Sequence, residues 1–194
     1  MQSTHQKELQ LLGRCHSYDQ FLYAYDLIQK SGFDNLNIDL MFALPNQTIR
    51  EHIHSLQRVI SLKPNHISAY SLILEDGTYL KKQVDHHYYE IPSEEEYIEM
   101  YRNTIHLLEI NGYEQYEISN FSKQFHECQH NIVYWERGDY IGFGVSASSF
   151  VDGKRFTNPM SLQEYSKSTF HTPKKIAFME KIDLEEAFEE TIFL

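Results

Sequence analysis

The chain has 194 residues, of which 41% are hydrophobic, 14% aromatic and 23% charged, so it is a globular protein of one domain or one and a half rather than a disordered polymer. A formal net charge of -11, from 17 Lys and Arg against 28 Asp and Glu, argues against a nucleic-acid partner, because a phosphate backbone needs a basic counter-surface. Two cysteines, a polar start (MQSTHQKEL) and the lack of a long apolar run point to the cytoplasm without a disulfide framework, and Cys15 and Cys128 are too few to hold a four-iron cluster.

A short helix is expected from about His5 to Leu12, stopping at Gly13. Ser17 is followed three residues later by Gln20, the spacing at which a cap and the third helical residue satisfy each other's backbone donors; it predicts a helix from about Tyr18 to Lys30. Asn35 to Phe42 is mostly apolar and reads as a strand covered on both faces. Thr48 with Glu51 opens a helix that ends near Leu62, before Pro64, and Ile67 to Leu74 reads as a second covered strand. Lys81 to Ile91 is polar and is expected to be a loop, with His86 and His87, like His52 and His54, on solvated surfaces. Ser93 with Glu96 opens a helix over Glu94 to Ile110, closed by Asn111-Gly112. Short strands are expected at Tyr116–Ile118, Tyr140–Phe143 and Ser148–Val151, and further helices after Ser161 and Asp183. The alternation is the α/β rhythm of parallel crossover units, in which ligands gather where strands end and helices begin.

Several residues carry candidate chemistry. Asp39 lies inside an apolar strand, where its carboxylate needs a partner: a ligand hydroxyl or ammonium, or else a backbone donor or internal arginine. Glu117 and Asn120 stand at a strand end and suit a polar ligand or a structural role. In HECQH, an extended chain would project His126, Cys128 and His130 from one face as ligands for a borderline-soft ion such as zinc. A lone histidine beside Tyr134 and Trp135 also suits axial coordination of haem iron, or simple packing. The small-residue run GFGVSASSF lets backbone approach a ligand closely or forms a tight turn; without a following Lys and Ser or Thr it is not a phosphate loop.

The ordered series LGRCHS, NIDLMFALPNQT, HISAYSLILEDGT, NGYEQYEISNFS, CQHNIVYW and YIGFGVSASSF resembles the oxygen-independent coproporphyrinogen III oxidase-like radical SAM family, and within it the haem chaperone (HemW) branch. The resemblance implies an α/β fold: the second half of a radical SAM partial (β/α) barrel over residues 1–112, then a smaller post-barrel region over 113–194. It also implies a fragment without the CxxxCxxC cluster motif, so that radical catalysis by this chain alone is not expected. By resemblance, Gln2, Arg14 and Asp39 contact S-adenosylmethionine (SAM), Asp39 at the ribose hydroxyls and Arg14 at the carboxylate, with Ile73 and Ser148 against the same ligand. His130, Asn131, Tyr134 and Trp135 match the HNxxYW haem motif, with His130 the iron ligand, Tyr134 and Trp135 a flat wall and His126 a bystander. The implied cofactors are haem, SAM and, in an intact parent, a 4Fe–4S cluster. The implied partners are haem-accepting respiratory proteins, with a homodimer or a peripheral membrane contact. Alternatives are a true coproporphyrinogen oxidase of porphyrin biosynthesis, a non-haem metal site and a truncated product without function. Ala43, Val145 and Ser148 depart from the family pattern, and Ala43, in place of a glycine, is expected to need a negative φ.

Overall fold

The computed structural model describes residues 1–167 and 177–193, and the chain divides into two compact units, Met1–Glu127 and Cys128–Leu194. The sequence places a boundary at residue 112 instead. The first unit continues past it because β3 (Glu114–Gln115) and β4 (Asn120–Ser122) pair into the first unit's sheet.

In the first unit, α1 (Gln6–Leu11) and α2 (Tyr18–Lys30) precede β1 (Asn37–Phe42), α3 (Ile49–Ser61) and β2 (His66–Ser71). The helices start where local chemistry directs. Ser17 and Gln20, Thr48 and Glu51, and, for α5 (Glu94–Ile110), Ser93 and Glu96 each form a reciprocal capping box. The sheet order is β1-β2-β4-β3: β1 and β2 are parallel through the α3 crossover, while β4 runs antiparallel to both β2 and β3. Among the described residues no third parallel strand joins this sheet, and the expected strand at Tyr116–Ile118 is the connection of a small hairpin. The segment expected to be a loop contains a helix, α4 (Tyr79–Asp85), capped by the Thr78 hydroxyl.

One face of the sheet makes the core. Ile38 and Leu40 of β1, Ile67 and Ala69 of β2, and Phe121 of β4 pack against Leu56 and Val59 of α3, Leu108 of α5 and Tyr113. The opposite face is polar along both parallel strands: Asn37 and Asp39 on β1 stand in register with His66 and Ser68 on β2. The strands are thus amphipathic rather than covered by apolar residues on both faces.

In the second unit, α6 (Gln129–Trp135) is followed by an antiparallel sheet of β5 (Ser148–Val151), β6 (Lys154–Thr157) and β7 (Phe178–Lys181), in the order β5-β6-β7. The helices α7 (Leu162–Ser166) and α8 (Leu184–Phe193) complete it. The expected strand at Tyr140–Phe143 is reduced to a single bridge between Tyr140 and Phe150.

Two positions in the first unit carry a stability cost. His52 is fully buried, contrary to the solvated surface expected of it, and packs on Phe42 with ring centroids 5.4 Å apart. Thr104 of α5 donates to the Met100 carbonyl at 2.9 Å, so its Oγ accepts from His52 Nε2 at 2.7 Å, and His52 Nδ1 is left buried without a partner. Burial lowers the His52 pKa to about 4, so between pH 6.5 and that value the unfolded chain takes up a proton that the folded chain refuses. Stability therefore falls as the pH falls, at about 1.4 kcal/mol per pH unit within that window. Denaturant unfolding at pH 7 and pH 5 should show the loss, and His52→Leu, which leaves Thr104 its Met100 acceptor, should reduce it by about 2 kcal/mol.

Ala43, just after β1, has φ 53°, the left-handed conformation. A Cβ there is unfavourable by about 1 kcal/mol, so the substitution has not moved the loop to a negative φ; the chain tolerates the strain. Ala43→Gly should raise the unfolding free energy by about 0.5–1 kcal/mol in a urea titration, with an unchanged m-value.

Candidate functional site

The polar face of the first sheet gathers most of the ligand-contacting residues expected there. Backbone pairing sets Asn37 opposite His66, Asp39 opposite Ser68, and Met41 opposite Tyr70, and on the other side of β2 sets Ser68 opposite Asn120. Gln2 reaches this face because its carbonyl accepts from the Met41 N–H at 2.8 Å, which brings its side chain near the Tyr70 hydroxyl. Arg14 leaves α1 through the Gly13 turn, its own N–H bonded to the Leu9 carbonyl at 2.8 Å. Gln2, Arg14 and Asp39 all act on Tyr70. Burial raises the Tyr70 pKa first, the Asp39 carboxylate pushes the same way, and Arg14 and the Gln2 side chain oppose them.

Asp39 is half-buried, not enclosed as the sequence suggests. Its Oδ1 accepts from the Asn37 side-chain amide at 2.8 Å. A carboxylate held from the side in this way, with Arg14 close enough to perturb the same tyrosine, offers an acceptor for hydroxyls and a cation for a carboxylate. Ile73 lies beyond the end of β2 and is 79% exposed, so it offers apolar contact rather than a built wall. Ser148 belongs to the second unit, where it is exposed on β5 and its hydroxyl hydrogen-bonds Thr157 at 3.0 Å. Glu117 accepts from the Ser119 N–H at 2.8 Å and so shapes the β3–β4 connection.

The sequence reading passed over Asn37, His66, Tyr70 and Tyr116. For Asn37, His66 and Tyr70 the signal is the period-two polar series in NIDLMF and HISAYS, which two adjacent strands turn into one face; Tyr116 lies in the β3–β4 connection, where no such series marks it.

The HNxxYW segment is helical from Gln129, which removes the extended geometry on which the zinc reading rests. Among the described residues no three His, Cys, Asp or Glu side chains form a metal-binding group. His126 instead hydrogen-bonds the Gln124 carbonyl through Nδ1 at 2.9 Å. On α6, His130 and Tyr134 share a face one turn apart, their rings edge-to-face at 5.0 Å and 83°. The Tyr134 hydroxyl lies 3.2 Å from His130 Nε2. Asn131 and Trp135, one position on, share a different face, so Tyr134 and Trp135 do not form one wall beside His130.

His130 is exposed, and behind it an aromatic row leads into the second unit. Tyr134 lies 4.4 Å from Tyr140, and Tyr140 lies 6.3 Å from the buried Phe150 of β5. Arg137 and Arg155 stand 5.5 and 5.8 Å from the Phe150 ring. Both pair with Glu190 of α8, Arg155 at 2.7 Å, which anchors that helix over the sheet. The GFGVS run is a tight turn: a Cβ on Gly142 would meet the Ser148 carbonyl oxygen at 2.2 Å. The buried Asn158 amide clasps this turn by donating to the carbonyls of Gly142 and Gly144 at 3.1 and 2.9 Å.

No protein-family model matches the chain. It is 33% identical to the heme chaperone HemW of Bacillus subtilis over 96% of this chain and 49% of that protein, and 36% identical to the HemW of Lactococcus lactis over 96% and 48%. A mitochondrial radical S-adenosyl methionine domain-containing protein 1 of Danio rerio is 36% identical over 76% of this chain and 33% of that protein. The chain thus spans about half the length of the curated relatives it matches. Among solved structures, coproporphyrinogen III oxidase (HemN) from Escherichia coli, a radical SAM enzyme, superposes with a TM-score of 0.80 over 99% of this chain and 47% of that one, at 18% identity. The fold class expected from the motifs is therefore the one observed, a C-terminal portion of the radical SAM partial barrel. By sequence and by fold, the chain belongs to the HemW/HemN-like radical SAM family.

Proposed function

We propose that the chain is the SAM-contacting and haem-carrying portion of a HemW-like haem chaperone. The observation that carries this reading is that proteins named heme chaperone align with 96% of the chain, a span that includes an exposed histidine on a short helix backed by an aromatic row. The likeness to HemN is one of fold alone at 18% identity and does not favour an oxidase.

Haem is cargo in this reading. His130 supplies an imidazole to its iron, and Tyr134, on the same helical face, offers an aromatic edge beside it. Asn131 and Trp135 border the adjacent face. Delivery goes to haem-accepting proteins, respiratory ones in first place, with a homodimer or a peripheral membrane contact as a mode of engagement. Among the described residues no helix is long and apolar enough to cross a membrane.

The residues on the first sheet fit SAM. Asp39 accepts from ribose hydroxyls, Arg14 pairs with the methionyl carboxylate, and Gln2 and Tyr70 lie beside them. Ile73, in the same unit, offers apolar contact, and Ser148, assigned to SAM by resemblance, belongs to the second unit. A 4Fe–4S cluster does not fit the residues present: the two cysteines lie in different units, and no metal-binding group occurs among the described residues. No redox step is therefore assigned to this chain.

Ligation through His130 Nε2 requires the hydrogen bond with the Tyr134 hydroxyl to break. That bond opposes haem binding by about 0.5–1 kcal/mol, a few-fold in affinity. In hemin titrations followed by the Soret band, the wild-type chain should give a shifted band, His130→Ala should lose the shift, and Tyr134→Phe should bind roughly threefold more tightly. Identical spectra for wild type and His130→Ala would remove the ligand assignment.

A further inference from the structure

The polar face of the first sheet contains a chain of hydrogen bonds whose direction is fixed. The Asn37 amide nitrogen donates to the Asp39 carboxylate at 2.8 Å, so the Asn37 carbonyl oxygen is turned the other way and can only accept. It faces His66 Nδ1 at 2.7 Å and the Ser68 hydroxyl at 3.3 Å. Ser68 has one proton and spends it on the nearer acceptor, the Asn120 carbonyl oxygen at 2.6 Å. His66 Nδ1 must therefore carry a proton. On the other side of the ring, Nε2 lies 2.6 Å from the Tyr116 hydroxyl, with the rings edge-on at 5.6 Å. A neutral imidazole protonated at Nδ1 accepts there, and Tyr116 donates. Burial lowers the His66 pKa, against the pull of Asp39 and Glu127, which keeps the neutral form in place at physiological pH.

Four side chains from three consecutive parts of the sheet thus act in one sense, Tyr116 to His66 to Asn37 to Asp39. We infer that His66 is a positioning residue: through Asn37 it fixes the Asp39 carboxylate so that its second oxygen is presented to the ligand's hydroxyls. The inference rests on the reading of Asp39 as a SAM contact. Without the His66 donor, the Asn37 carbonyl oxygen loses its nearest partner, so the amide is no longer held with its nitrogen against Asp39 and the carboxylate is less firmly fixed. The register of β1 against β2 is what makes the relay possible, because it sets Asn37 directly beside His66 and Asp39 beside Ser68.

A purely structural role for the same contacts is distinguishable. If His66 only ties β2 to the β3–β4 hairpin, its loss lowers the melting temperature and leaves ligand affinity alone. If it positions Asp39, affinity changes beyond any change in stability, and a side chain that restores only the donor recovers it.

The test combines calorimetric SAM titration, thermal melts and long-range proton–nitrogen NMR of the imidazole on the whole chain. Expected are SAM binding by the wild type, none by Asp39→Ala, about tenfold weaker binding by His66→Phe, and recovery of most of that loss by His66→Gln, whose amide can donate to Asn37. The wild-type His66 should appear as the Nδ1–H tautomer and move toward the commoner Nε2–H form in Asn37→Ala. Wild-type affinity in His66→Phe, with Asp39→Ala inactive, would overturn the relay and leave the SAM reading standing. No binding by the wild type, or equal binding by Asp39→Ala, would overturn the SAM reading and the inference with it. An Nε2–H tautomer in the wild type contradicts the relay's direction, with no ligand needed, and stands even where a His66 variant fails to fold.

Discussion

The pairing of β1 with β2 is the constraint on which the first unit's site depends. The α3 crossover brings the strands parallel, and the register places Asn37, Asp39 and Met41 beside His66, Ser68 and Tyr70. Side chains alternate along a strand, so a slip of one residue would carry Asp39 into the apolar layer and Ile38 or Leu40 onto the polar face. The core prevents that slip: Ile38, Leu40, Ile67 and Ala69 are each 1% exposed or less, locked under Leu56 and Val59 of α3. Burial of one face fixes the chemistry of the other. The Gln2 carbonyl, by accepting from Met41, uses the free edge of the same strand to bring its own side chain, and Arg14 further along, toward that chemistry.

In the proposed reading the second unit has a different task, that of presenting a ring nitrogen to a large flat cargo from a helix of only seven residues. A helix so short gains little from its own hydrogen bonds and needs support from outside it. The row Tyr134, Tyr140, Phe150 gives that support, and the guanidinium groups of Arg137 and Arg155, tied to Glu190, hold Phe150 at its far end. The side chain offered at the exposed end is His130. The contrast between the units is physical: the first ties the polar groups of its open sheet face into one hydrogen-bonded network, while the second leaves a ligand-capable nitrogen at the surface with one exchangeable partner.

What the sequence shows and what it hides follows the range of the interactions. Capping boxes at Ser17, Thr48 and Ser93 are completed within four residues, so the three long helices were legible almost to their ends. The β3–β4 hairpin depends on β2, some fifty positions away, and nothing local marks Asn120 as a strand residue. Helix α4 was hidden by its polarity, since none of its residues is buried. In HECQH, histidines at even spacing imitate a strand, whereas the chain turns helical at Gln129 and places the partner of His130 four residues on, at Tyr134. Asp39 stood out as a carboxylate in an apolar strand, whereas Gln2 and Arg14 were legible only through the family resemblance; that all three act on one tyrosine came from the fold. His66 was missed because its polarity has meaning only once Asn37 stands beside it.

The central claim is that two ligands belong to two separate parts of one chain. Hydrogen–deuterium exchange with SAM alone and with hemin alone tests it most directly. The account predicts that SAM slows exchange in β1, β2 and the segment from Gln2 to Arg14, and that hemin slows it in α6 while leaving the first sheet unchanged. Protection of the same segments by both ligands, or hemin protection that leaves α6 untouched, would contradict it.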